Sequence, residues 1–76
     1  APFRSWEISQ VSDDEVYLIR RFLDRRVFLA GNIRLDLANK IYTIVLPKTS
    51  GIPTDWYAEA VLEGIAASRA VANARG

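Results

Sequence analysis

Two interruptions decide what this chain can fold into. "AGN" at residues 30 to 32 and "PKTSGIP" at 47 to 53 place glycine, proline and short polar residues between three stretches whose apolar residues recur at helical spacing. Proline cannot continue a helix from within, and glycine gives a helix a natural end. The pattern predicts an all-α fold: a single helical domain over residues 1 to 76, with helices near 12–26, 32–46 and 54–73. Residues 1 to 11, "APFRSWEISQV", lack helical spacing and predict an extended N-terminal arm whose aromatics lie on the body.

The first helix carries its own start signal. Ser12 followed three residues later by Glu15 makes a capping box, with Asp13 and Asp14 adding negative charge at the positive end of the dipole. Val16, Leu18, Ile19, Phe22 and Leu23 share an arc of about 160° on a helical projection, which predicts that they face the core. In the second stretch, Ile33, Leu37, Ile41 and Ile44 form a stripe that Leu35, Ala38, Tyr42, Val45 and Leu46 widen to about 220°. An apolar arc that wide predicts contact on two sides. "PKTSGIP" reads as an exposed, mobile linker. Thr54 then caps a third helix with a small row, Ala60, Gly64, Ala67 and Val71 after Trp56, and a bulkier flank of Tyr57, Val61, Leu62 and Ile65. The small row fits close packing inside a three-helix domain as well as it fits an association motif.

Composition limits the chemistry. A chain of 76 residues buries only about 60% of its unfolded surface, so its stability is modest. It contains no Cys and no His, which removes thiol and histidine-based nucleophilic sites and the usual zinc ligand sets. Asp13, Asp14 and Glu15 are consecutive and do not converge on one point, and no calcium-loop spacing follows them. Thr49 and Ser50 have no histidine to activate them. The expectation is a chain that is not an enzyme and takes no metal or cofactor. No run approaches the roughly 18 apolar residues of a spanning helix. Met is absent even at position 1, which predicts a processed product or a piece of something longer.

"RRFLDRR", residues 20 to 26, concentrates four arginines in a chain whose formal net charge is only +1. So small an excess disfavours nucleic acid as a partner. Arg20 and Arg21 project outside the apolar arc and Arg25 lies at its edge. They read as a solvated helix face with the charge sign that suits a helix C-terminus, or as a patch for phosphate or anionic lipid. Arg26 returns to the apolar arc, and Arg34 lies in the middle of the apolar face of the second helix. A guanidinium there needs a carboxylate, or must extend its head past the core edge. Glu59, Glu63, Asp14 and Glu15 are the available acids, and the expectation is structural ion pairing that holds the helices in register.

The order "EVYLIRRFLDRR", Leu29, Arg34 with "LANKI", and then "WYAEAVL" resembles the soluble C-terminal tail of bacterial RDD-family membrane proteins over about residues 15 to 62. The residues that carry the resemblance are Arg25, Arg26, Arg34, Leu37 and Ala38. It implies a water-exposed tail, on the cytoplasmic side, of an integral membrane parent with a transport-related role. The membrane would be reached through a segment outside this chain, and the tail would regulate, assemble or anchor. The wide face of the second helix, through Leu35 and Tyr42, predicts a homodimer. Arg20, Arg21 and Arg25 complete the expected interaction surface. The alternative reading is a small helical nucleic-acid-binding domain.

Overall fold

The computed structural model describes residues 6 to 75, so the expectation for Phe3 and its immediate neighbours lies outside the described residues. Three helices follow one another: α1 (Asp13–Arg25), α2 (Gly31–Val45) and α3 (Ala58–Arg75). Single 3-10 turns, Arg26–Phe28 and Leu46–Lys48, close α1 and α2. Among the described residues the only extended pairing is an isolated antiparallel bridge between Glu7 and Ser50. The fold is all-α.

The capping box forms as the sequence dictates. Ser12 Oγ accepts from the Glu15 amide at 3.1 Å, and Glu15 Oε1 accepts from the Ser12 amide at 2.8 Å. α2 begins on Gly31 behind Ala30, which offers no side-chain cap. Pro47 lies within the 3-10 turn that ends this helix. α3 starts at Ala58, four residues later than Thr54 predicts, and Tyr57 supplies the first accepting carbonyl, to the Val61 amide at 3.0 Å. Thr54, Asp55 and Trp56 remain in turns because a tertiary contact holds them there. The Trp56 ring meets Trp6 edge to face at 5.3 Å between centroids, an arrangement favoured by the ring quadrupoles.

Each helix delivers three buried hydrophobic residues to one core. α1 gives Val16, Ile19 and Phe22, α2 gives Ala38, Ile41 and Val45, and α3 gives Val61, Leu62 and Ile65. The arm adds Trp6, Ile8 and Val11, so it is part of the core rather than an appendage. Full burial of a residue such as Leu62 contributes about 1.5–3 kcal/mol. Leu18 departs from the expectation: periodicity puts it in the core stripe of α1, but it is 45% exposed.

The segment from Pro47 to Pro53 is tied down instead of hanging as a free linker. Thr49 bonds back to the Leu46 carbonyl through both its amide and its hydroxyl. Ser50 exchanges two backbone bonds with Glu7, at 2.8 and 3.1 Å, and Ile52 packs against the core. Gly51 makes the turn possible with a φ of 80°, a conformation that glycine adopts without strain.

Candidate interaction surface

Glu59, in the first turn of α3, is the centre of the charged seam between the helices. Its carboxylate accepts from Arg34 twice, Nε at 3.0 Å and Nη2 at 2.5 Å, and from Arg26 Nη1 at 2.8 Å. The Arg26 guanidinium also reaches Glu63, one turn along. The structure thus brings Arg26, Arg34, Glu59 and Glu63 together, with Asp14 and Glu15 elsewhere. The forked geometry of a guanidinium suits this two-point grip on a carboxylate. Hydrogen bonding from Arg34 chiefly, and then Arg26, holds Glu59 below its ordinary value of 4.5, against the opposing effect of its partial burial. The Arg26 side chain is half-buried, so its stem packs while its head reaches the acids at the edge.

The acids at the start of α1 disperse to separate partners. Asp13 pairs with Arg69 at 2.8 Å, and Glu15 pairs with Lys48 at 2.5 Å while completing the capping box. The Lys48 bond, followed by the bond from the Ser12 amide, lowers the pKa of Glu15. Arg69 is a residue that the sequence reading overlooks. Besides Asp13 it donates to the carbonyls of Val11 at 2.5 Å and Ile8 at 3.4 Å, and its side chain is only 15% exposed. One signal could have found it. Arg69 falls four residues after Ile65 and seven after Leu62, on the buried face of α3, and so faces the same demand for a partner as Arg26.

The other three arginines of "RRFLDRR" differ. Arg20, Arg21 and Arg25 are exposed and make no ion pair among the described residues. Arg21 lies over the Tyr17 ring, 5.8 Å from its centroid. Arg21 and Arg25 border a groove of about 630 Å³ between α1 and α2, together with Asp14 and Tyr17. Leu18, Phe22, Leu29, Leu37 and Ile41 form its apolar interior. Outside the groove, Ile33 and Ile44 share the Leu37 side of α2 by helical spacing, and both are half exposed.

These positions revise the expected second contact side of α2. Tyr42 packs against the core as a partly buried residue, which leaves Leu35 as the open member of the expected pair. Leu35 borders a smaller cleft of about 380 Å³ against Tyr57, Glu59 and Glu63 of the α3 end. The larger uncovered apolar side of α2 is the one with Ile33, Leu37 and Ile44. Its cause is the choice of core triple: burying Ala38, Ile41 and Val45 turns that stripe outward.

No described helix is long and apolar enough to cross a membrane. Among the residues of the RDD resemblance, Arg26 and Arg34 hold Glu59, Ala38 is buried, and Arg25 and Leu37 line the groove. Comparison with known proteins finds no family model, no curated protein and no solved structure that matches the chain.

Proposed function

We propose that this chain is a non-catalytic interaction domain, the water-exposed tail of a larger bacterial membrane protein of the RDD kind, with the α1–α2 groove as its contact surface. The groove carries the reading. It combines Leu18 and Leu37, which the fold leaves exposed, with arginines that have no carboxylate partner among the described residues. A chain of this size gains little from leaving such surface in water, and contiguous exposed apolar area marks contact sites. The membrane parent, its transport-related role and the cytoplasmic side rest on the resemblance carried by Arg25, Arg26, Arg34, Leu37 and Ala38. The test is fractionation of the untagged full-length gene product from its own cells, followed by alkaline washing of the membrane pellet. Retention in the washed pellet supports the tail reading, and full release into the soluble fraction overturns it.

A second reading, nucleic-acid binding, draws on Arg20, Arg21 and Arg25 standing on one helix without acidic partners among the described residues. It requires duplex or single-strand affinity that falls steeply with salt, because each phosphate contact releases a counterion. Affinity that is absent at low salt rejects it.

A further inference from the structure

The groove has a charge order that identifies its occupant. Along α1 its lining runs Asp14, Tyr17, Leu18, Arg21, Phe22, Arg25. One end is acidic, the other end is basic, and the apolar residues between them are interrupted by Arg21. A surface with that order is complementary to itself turned end for end, which is the requirement for a two-fold symmetric contact. We propose that the groove receives α1 of a second copy of this chain in antiparallel orientation. The proposal rests on the interaction-domain reading above and names its partner.

The register follows from helix geometry. Asp14 and Arg25 are separated by about 16 Å along the axis at 1.5 Å per residue. An antiparallel copy of α1 whose two-fold axis crosses at the level of Ile19 and Arg20 sets Asp14 of each copy level with Arg25 of the other. The same operation sets Tyr17 level with the buried Phe22 and faces Leu18 with Arg21, whose aliphatic stem can cover it. Each α1 also meets Leu37 of the opposing α2, with Ile33 and Ile44 beside it, so the pair of hairpins forms a four-helix arrangement. This gives cover to Leu18 and to the outward stripe of α2, and it gives Arg25 a carboxylate partner that the single chain leaves it without. Arg26, Arg34 and Arg69 take no part, since their acids lie within their own chain. One three-turn helix face is at the small end of the range for stable interfaces, so the dimer dissociates on dilution.

Sedimentation equilibrium of the chain across a concentration series tests the pairing. The expected result is a rise from one chain mass of 8.5 kDa towards two, weakened by salt. Asp14→Arg alone, and Arg21→Asp with Arg25→Asp, each place like charges across the contact and should remain at one chain mass. Mixed together, the two variants are complementary again and should associate one to one. Circular dichroism of each variant checks that the helices are intact. Because the chain contains no cysteine, Leu18→Cys gives a readout with no charge reversal: with an added oxidant it cross-links into a dimer, whereas Leu35→Cys does not. A single chain mass at every concentration up to millimolar overturns the pairing, as does a dimer that survives both charge variants or cross-links only through Leu35. Those outcomes leave membrane retention of the full-length product to decide the tail reading on its own.

Discussion

The two seams that meet at α2 are built from similar residues with opposite results. Towards α3, Arg34 and Arg26 converge on Glu59, and the polar groups at the core edge are matched within the chain. Towards α1, Arg21 and Arg25 stand beside Leu18 and Leu37 with no acid on the opposite wall, and a groove stays open. The difference lies in helical phase. A guanidinium that returns to the apolar arc is held by an acid at the core edge, whereas one at the edge of the arc can remain in water and stay available. Adjacent arginines such as Arg25 and Arg26 therefore do different work, and composition alone does not separate them.

The comparison can be broken most strongly from the paired side. Arg69→Ala removes the donors to the Val11 and Ile8 carbonyls and frees Asp13, and it should cost about 1–3 kcal/mol. Thermal unfolding followed by circular dichroism measures it, with a fall in Tm of about 4–8 °C per kcal/mol for a chain of this size. Glu59→Gln leaves two guanidiniums facing a neutral amide and should cost about 1–2 kcal/mol, between the values for exposed and buried pairs. A change in Tm below 2 °C would mean that the charged seam adds little beyond packing.

Acid offers a reversible version of that substitution. The pKa of Glu59 is lowered in the folded chain, so its contribution is fully present above its ordinary value of 4.5 and is lost as pH falls from there through its folded value. Glu15, lowered chiefly by Lys48, acts in the same direction. Denaturant midpoints should fall between pH 5 and pH 3, and Glu59→Gln should flatten that fall. An unchanged slope in the variant would assign the acid sensitivity to other carboxylates. The smallest effect belongs to the open side: Arg25→Gln should shift stability of the single chain by no more than about 0.5 kcal/mol. A larger loss, read at concentrations where the chain is monomeric, would show that Arg25 has an intramolecular role.

Much of the fold is legible in the sequence because its signals are local. The capping box at Ser12 and Glu15, the helical spacing of Val16, Ile19 and Phe22, and the break before Pro47 each act within a turn or two of the chain. The acids that meet Arg26 and Arg34 are legible for a related reason, since charge on an apolar arc demands a partner and few candidates exist. Three features are illegible because distant contacts set them. Trp6 against Trp56 keeps Thr54 out of the helix, Glu7 against Ser50 fixes the segment expected to be mobile, and the packing choice in α2 decides that Tyr42 is covered while Leu37 and Ile44 are not.

The bridge between Glu7 and Ser50 also sets the order in which the molecule should come apart. Two backbone hydrogen bonds join the arm to Ser50, so its hold on the body rests otherwise on the burial of Trp6, Ile8 and Val11 and on Arg69. Residues 6 to 11 should therefore open as one cooperative unit, below the free energy of global unfolding. Hydrogen exchange would report this as early labelling of the Glu7, Ser50 and Val11 amides while those of Leu62 and Ile65 remain protected. Arg69 is the brake on that opening, because its grip on the Ile8 and Val11 carbonyls must release before the arm can leave.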